Sequence, residues 1–161
     1  MQKITPCLWF DGQAEEAVNF YASIFPSCKI SSASRYGEQA AKASGQPVGS
    51  VMVMTFQLEG LSFMALNGGP AYKFTPAISL MVDCGTQAEV DHYWDKLSAG
   101  GATNRCGWLT DKFGVSWQIV PTALGQLMGG SDPDKSKRVM QAMLQMTKLD
   151  IAKLEEAANG R

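Results

Sequence analysis

The most constraining feature of this sequence is an internal repeat. Two segments share one order: an apolar strand, a turn with Asp and Gly, and then Gln-Ala-Glu at the start of a helical pattern. The first segment runs from Cys7 to Tyr21, and the second runs from Ser79 to Trp94. A repeat of this kind indicates that one supersecondary unit is built twice. The chain is therefore expected to form two similar modules.

Both repeats contain the apolar spacing of a helix that buries one face. The stripe predicted for the first helix, which Pro26 ends, consists of Ala14, Ala17, Val18, Tyr21, Ile24 and Phe25. The stripe predicted for the second helix, which Gly100 and Gly101 end, consists of Val90, Tyr93, Trp94 and Leu97. Each helix is expected to pack this face on a sheet.

Strand patterns follow each helix. In the first half, strands are predicted over residues 30–36, 50–58 and 61–66, with a tight turn at Glu59-Gly60 and a polar loop over 37–49. In the second half, a hairpin is predicted from strands over 102–109 and 115–121. The second half is thus expected to have one strand fewer than the first.

A final helix is predicted over about 134–158, because Met140, Met143, Leu144, Ile151 and Leu154 recur at helical spacing and Asp132 or Ser131 could cap it. The fold class is therefore α+β, with two βαβββ-type modules at about 1–70 and 75–123 and a C-terminal helix. A length of 161 residues is consistent with a single domain spanning 1–161.

Composition narrows the function classes. Acidic and basic residues nearly cancel, 15 against 14, so the sequence predicts neither a nucleic-acid partner nor a membrane partner. No signal peptide and no apolar run long enough for a membrane span is recognised, which predicts a cytoplasmic protein. The cysteines are widely spaced and are predicted to be free and mostly buried: Cys7, Cys28, Cys84 and Cys106.

The stretch 106–121 reads Cys-Gly-Trp-Leu-Thr-Asp-Lys-Phe-Gly-Val-Ser-Trp-Gln-Ile-Val-Pro. Together with the two modules, it resembles the vicinal oxygen chelate superfamily, and most closely its PhnB-like, demethylubiquinone methyltransferase-like branch. Residues 4–10, 67–70 and 138–143 are consistent with that branch. The resemblance implies curved mixed sheets around a cup that holds the site, and a homodimer.

Metal-using members of the superfamily present four ligands in the cup, usually histidine and glutamate. Aligned by strand and turn, those places fall on Thr5, Met64, Ala77 and Gln118. Only the Gln118 amide could touch a metal, and weakly, so no metal ligand is predicted. The sole histidine, His92, lies off the apolar stripe of its helix and is predicted to be exposed.

The branch description implies methyl transfer from S-adenosylmethionine. No strand is followed by the Gly-x-Gly turn with which common methyltransferases hold that cofactor. No cofactor is therefore predicted, and a divalent metal or S-adenosylmethionine stays open as an alternative.

Strand alternation separates the residues that face the cup from those that face the helices. The cup face is predicted to carry Thr5, Cys7, Trp9, Met64, Leu66, Ser79, Met81, Ser116 and Gln118. The opposite face is predicted to carry Ile4, Leu8, Phe10, Ile78, Leu80, Val82, Val115, Trp117 and Ile119.

Residues facing the cup, together with two next to turns, form the candidate ligand site: Cys7, Trp9, Met64, Asn67, Ser79, Trp108 and Gln118. Its mixture of sulfur, aromatic and amide groups suits a small apolar or aromatic ligand. Simple core packing is the alternative for Met64, Leu66 and Met81. No catalytic residue is assigned, because Glu59, Asp83 and Asp111 lie at turns, where carboxylates bond local backbone.

Three functions are left open by the sequence. The leading hypothesis is a metal-free small-molecule-binding protein. The second is an enzyme of the same fold, with either methyl transfer or a metal-dependent glyoxalase-like or dioxygenase-like activity. The third is an interaction module in which the cup is filled and the C-terminal helix assembles a dimer.

Overall fold

A computed structural model describes residues 2–160 of the chain, which divides into two compact units, Met1–Phe74 and Thr75–Arg161. The first unit contains β1 (Cys7–Phe10), α1 (Ala14–Ile24), β2 (Lys29–Arg35), α2 (Glu38–Ser44), β3 (Val51–Leu58) and β4 (Leu61–Asn67). The second unit contains β5 (Leu80–Cys84), α3 (Gln87–Leu97), β6 (Ala102–Thr103), β7 (Trp108–Thr110), β8 (Ser116–Pro121), α4 (Thr122–Met128), α5 (Pro133–Leu144) and α6 (Ile151–Ala158).

Each unit is built on one four-stranded mixed sheet. The strand orders are β1-β4-β3-β2 and β5-β8-β7-β6. In both sheets the first strand of the module pairs in parallel with the last, and the remaining pairs are antiparallel. The α+β class with two βαβββ-like modules is therefore confirmed. Within residues 2–160, no helix has the length and apolar character needed to cross a membrane.

The helices α1 and α3 pack on their sheets through the stripes that the sequence predicts. Ala14, Ala17, Val18, Tyr21 and Ile24 are buried on α1. Val90, Trp94 and Leu97 are buried on α3, whereas Tyr93 is only half-buried. Thr86 and Glu89 fix the start of α3, because each side chain accepts a hydrogen bond from the other's backbone N–H.

The turn between β7 and β8 is organised by the buried carboxylate of Asp111. Its Oδ1 accepts hydrogen bonds from the backbone N–H groups of Phe113 and Val115, at 2.9 and 3.0 Å. Its Oδ2 accepts a hydrogen bond from the indole N–H of Trp117, at 2.9 Å. The structure thus confirms that Asp111 has a structural use, since its oxygens hold the turn and a core side chain.

The second sheet is not short of a strand, so that expectation was wrong. The predicted strand over 102–109 is interrupted, and its two ends, β6 and β7, pair with each other. Cys106 and Gly107 break it because both adopt the left-handed conformation, with φ of 59° and 81°. The Cys-Gly pair was the local signal for this turn.

The predicted loop over 37–49 contains a helix, α2, that sequence reasoning missed. Its sequence, Glu-Gln-Ala-Ala-Lys-Ala-Ser, is rich in strong helix formers. Ala41 is buried to 4% exposure, and Gly45 ends the helix in the left-handed conformation. The small residues here form a short helix, buried only at Ala41, rather than a loop.

The prediction of a single C-terminal helix over 134–158 was also wrong, because this stretch forms two helices, α5 and α6. The Asp132 cap is confirmed, since this side chain accepts from the N–H groups of Asp134 and Lys135. Between the helices, the carbonyls of Met146 and Thr147 accept hydrogen bonds from the backbone N–H groups of Cys106 and Gly107, in the turn before β7. The side chain of Asp150 caps α6. These tertiary bonds replace the helical ones.

Two residues predicted to face the helices are exposed. Ile4 and Ile78 are 84% and 81% exposed, because β1 and β5 begin only at Cys7 and Leu80. The other members of that face are buried or half-buried.

Replacing the anchor of the β7–β8 turn should destabilise the second unit. Asp111→Ala leaves two backbone donors and one indole donor without their acceptor, and we expect a loss of about 2–4 kcal/mol in the free energy of unfolding. Urea unfolding measures this loss. Asp83→Ala, which removes an exposed carboxylate, is the matched control, and an equal loss in both variants would contradict the role given to Asp111.

Candidate functional site

The face of each sheet opposite its helix is called here the open face. On the first sheet, Cys7 pairs with Met64 and Trp9 pairs with Leu66. Cys7 is exposed and the other three are half-buried, whereas their strand neighbours Leu8, Phe10, Phe63 and Ala65 are buried. The alternation therefore brings three predicted site residues, Cys7, Trp9 and Met64, to one face.

Trp9 is held in place by the chain after β4. Its indole Nε1 donates to the carbonyl of Gly69 at 2.9 Å, and its ring meets the Tyr72 ring edge-on with 5.0 Å between centroids. A Cβ at Gly68 would lie only 2.2 Å from the Trp9 ring, so this position requires glycine. Because the indole N–H is already bonded, Trp9 offers a ligand its ring surface alone.

The open face of the second sheet carries a cross-strand row of three residues. Met81 of β5 pairs with Gln118 of β8, and Gln118 pairs with Trp108 of β7. Gln118 and Trp108 are half-buried, and Met81 is 57% exposed. Cross-strand partners share a face and lie close together, so the row presents a thioether, an amide and an indole side by side.

Ser79 joins this row through a hydrogen bond. It lies just before β5, and its Oγ accepts a hydrogen bond from Gln118 Nε2 at 2.8 Å. Within residues 2–160, no hydrogen bond to Gln118 Oε1 and no buried side-chain N or O atom without a partner is found. The Gln118 carbonyl is thus accessible as an acceptor.

Asn67 does not lie on an open face. It is 3% exposed and pairs with the buried Phe10, on the face that α1 covers. Its Oδ1 accepts from the backbone N–H of Ala14 at 2.8 Å, and its Nδ2 donates to the Val51 carbonyl at 2.9 Å. Its place next to a turn therefore does not bring Asn67 to an open face with the other candidate ligand residues; its amide instead caps the start of α1, where no cap comes from the helix itself.

The remaining turn carboxylates are also bonded or exposed. Glu59 lies in a left-handed turn with φ of 46°. Its carboxylate accepts a hydrogen bond from the Ser27 hydroxyl, and its backbone N–H donates to the same hydroxyl oxygen. Asp83 is exposed at the end of β5. The only histidine, His92, is exposed on α3, as its position off the stripe predicts.

All four cysteines are free, as predicted, but only Cys84 is buried. Burial, reinforced by the negative charges of Glu89 and Asp83, raises the pKa of the Cys84 thiol to about 12. Desolvation also raises the pKa of Cys7 and of Cys28. These three thiols are therefore poor nucleophiles near neutral pH.

The positions at which the superfamily binds metal carry the wrong donors here. Thr5, Met64, Ala77 and Gln118 offer a hydroxyl, a thioether, a methyl group and an amide, which do not fit a divalent ion. Within residues 2–160, no three or more His, Cys, Asp or Glu side chains are grouped to hold one. The mixed sheets also lack the parallel, doubly wound arrangement with a Gly-x-Gly turn that fits S-adenosylmethionine in common methyltransferases.

Sequence reasoning missed two pockets, each lined in part by charged and polar side chains. One, of about 490 Å³, is lined by Gln87, Asp91, Gln145, Met146, Thr147, Lys148, Leu149, Asp150 and Lys153. The other, of about 360 Å³, is lined by Asp11, Gly12, Glu15, Arg35, Gln46, Pro47, Ser50, Val51 and Asn67. In the 490 Å³ pocket, Lys148 Nζ lies 2.8 Å from Asp91 Oδ1. This contact lowers the pKa of Asp91. The helical spacing of Gln87 and Asp91 was the only sequence signal.

Comparison with known proteins agrees with this architecture. The profile of the family described as 3-demethylubiquinone-9 3-methyltransferase matches residues 2–120. The PhnB protein of Bacillus cereus is 41% identical over 75% of this chain and 100% of its own, with a TM-score of 0.67. No curated protein matches the sequence.

Two more distant structures show the fold alone. PA1353 of Pseudomonas aeruginosa is 22% identical over 75% of this chain and 98% of its own, with a TM-score of 0.61. The fosfomycin resistance protein FosX of Listeria monocytogenes is 14% identical over 80% of this chain and 98% of its own, with a TM-score of 0.55.

The paired modules and these neighbours define the chain as a vicinal oxygen chelate protein. Within that superfamily, it belongs to the 3-demethylubiquinone-9 3-methyltransferase family, which includes PhnB-like proteins.

Asn67 should prove structural rather than ligand-binding. Asn67→Ala removes two buried hydrogen bonds, one to the start of α1 and one to Val51 of β3, and we expect it to lower the free energy of unfolding by about 2 kcal/mol. Thermal and urea unfolding measure this change. Asn19→Ala, at an exposed position of α1, is the control, and unchanged stability in Asn67→Ala would contradict this role.

Cys84 should make stability depend on alkaline pH. Because its thiol has an ordinary pKa of 9.0 and a folded pKa of about 12, the unfolded chain releases this proton first. Stability is therefore complete below pH 9 and falls as the pH rises towards 12, by at most about 1.4 kcal/mol per unit. Urea unfolding from pH 8 to 10.5 compares the protein with Cys84→Ala, and parallel curves would refute the shift.

Proposed function

We propose that this protein binds a small aromatic molecule on the open face of its second sheet, without a divalent metal. The observation that carries the proposal is the row of Met81, Gln118 and Trp108, which presents apolar and aromatic groups around one accessible amide carbonyl. Small-molecule sites typically combine an apolar lining with few polar groups.

The apolar members of the row favour a ring as the ligand. Met81 is a large apolar side chain exposed on a strand whose neighbours Leu80 and Val82 are half-buried. A methionine sulfur near a ring edge contributes about 0.3–1.5 kcal/mol. An indole stacked on a ring contributes about 0.5–1.5 kcal/mol beyond area burial. An aromatic ring lying on this row would therefore be stabilised by contacts with both Met81 and Trp108.

The amide indicates which polar group the ligand carries. Gln118 Nε2 already donates to Ser79, whereas Oε1 can accept. A ligand with a hydroxyl or ring N–H would satisfy this carbonyl, and a ligand with only acceptors would leave it unpaired. The exposed carboxylate of Asp83, two residues from Met81 on the same face, further disfavours an anionic ligand.

The open face of the first sheet has similar chemistry in Cys7, Trp9 and Met64. It is a separate candidate surface on the first unit, with the Trp9 ring as its aromatic contact. Assembly of two chains, expected from the superfamily, stays a prediction, as does a cytoplasmic location.

Methyl transfer is the second candidate function, supported by the description of the family to which the chain belongs. The poor fit of the residues to S-adenosylmethionine makes binding without turnover the first choice. Incubation of a bound phenol with S-adenosylmethionine, followed by mass spectrometry, separates the two: a methyl ether product favours the enzyme.

Binding can be tested with 1-naphthol, a neutral ring with one hydroxyl. We expect calorimetry with EDTA present to show saturable binding, and 1-methoxynaphthalene to bind roughly tenfold more weakly because its oxygen cannot donate. Trp108→Ala should weaken 1-naphthol binding by roughly three- to tenfold.

Tyr93→Ala is the matched aromatic control, since Tyr93 lies on α3, away from the open face. Binding that is lost in EDTA and restored by manganese or zinc would overturn the metal-free proposal. Equal affinity for the two naphthalenes would overturn the role of Gln118.

A further inference from the structure

Trp108 follows a turn that is hydrogen-bonded to a part of the chain that the family profile does not cover. The profile ends at residue 120, and α4, α5 and α6 follow it. The Bacillus PhnB protein is covered completely by 75% of this chain, so a quarter of this chain has no counterpart there. Two short stretches connect this addition to the open face: residues 104–107, called the Trp108 turn, and residues 145–150, called the connecting segment.

Backbone hydrogen bonds link the Trp108 turn to the connecting segment. The backbone N–H of Cys106 donates to the Met146 carbonyl, and that of Gly107 donates to the Thr147 carbonyl, both at 2.8 Å. The thiol of Cys106 also contacts the Met143 carbonyl at 3.6 Å. These bonds matter because Cys106 is held at a φ of 59°, which costs of order 1 kcal/mol for a residue with a side chain.

Gly107 is enclosed between β8 and the connecting segment. Its carbonyl accepts the Ile119 N–H at 2.8 Å, and an added Cβ would lie 2.6 Å from the Ile119 carbonyl and 3.2 Å from Leu149 Cδ1. Leu149 is completely buried. Gly107, directly before Trp108, is therefore confined by β8 on one side and by the connecting segment on the other.

Gln87 fixes the connecting segment to α3. Its Nε2 donates to the Leu149 carbonyl at 3.2 Å, and its Oε1 accepts the Ile151 N–H at 2.9 Å. Lys148 adds an ion pair with Asp91 at 2.8 Å. One amide thus bonds both sides of the junction between the connecting segment and α6.

We infer that the connecting segment positions Trp108 on the open face, and that Gln87 is the residue that holds the segment there. The contacts run from Gln87 through the segment to Gly107 and Trp108, which is paired with Gln118. The consequence for ligand affinity rests on the proposed function, whereas the placement of Trp108 does not.

Fluorine NMR of the full chain labelled with 5-fluorotryptophan tests the inference without a ligand. The protein has four tryptophans, and Trp108→Phe assigns the signal of interest. We expect Gln87→Ala to shift or broaden the Trp108 signal while the Trp9 signal, from the other unit, stays in place. Gln141→Ala, an exposed glutamine of α5, is the matched control and should change neither signal.

An unchanged Trp108 signal in folded Gln87→Ala would overturn the inference. If Gln87→Ala does not fold, Lys148→Ala, which removes only the partly exposed ion pairs with Asp91 and Asp95, should produce a smaller shift of the same signal. The absence of this shift overturns the inference equally. With 1-naphthol, Gln87→Ala should weaken binding roughly two- to tenfold. A shifted Trp108 signal without any naphthol binding supports the positioning and contradicts the proposed function.

Discussion

A helix packed on a sheet can bury only one of its faces, because consecutive side chains of a strand point to opposite sides. In this protein, α1 and α3 cover the sheet faces that carry the buried side chains of Phe10, Phe63, Trp117 and Ile119. The register of the paired strands then decides which residues meet on the other face. Met81, Gln118 and Trp108 are neighbours for this reason, although the sequence separates them widely.

Two amides show how the face determines the use of a side chain. Asn67 lies on the helix-covered face, and its two polar atoms bond backbone groups of Ala14 and Val51. Gln118 lies on an open face and bonds one side chain, Ser79, through its nitrogen. Burial requires the first amide to be fully satisfied, whereas partial exposure leaves the second an acceptor for another molecule.

The second unit combines the shared fold with an addition of its own. Asp111 organises the turn after β7 from inside the region that the family profile covers. The turn before β7 is bonded instead to the connecting segment, outside that region. Trp108 thus follows a turn that depends on the addition and precedes a turn that depends on the common fold.

The sequence by itself determined the two modules, the stripes of α1 and α3 and the alternation of β1, β4, β5 and β8, because these follow from local periodicity. It also assigned Cys7, Trp9 and Met64 to the open face of the first sheet and Gln118 to the open face of the second. Tertiary structure alone decided that Asn67 caps α1, that the last helix breaks at 145–150, and that Ser79 orients Gln118. Those outcomes depend on hydrogen bonds between residues far apart in the chain, for which local sequence carries no periodic signal.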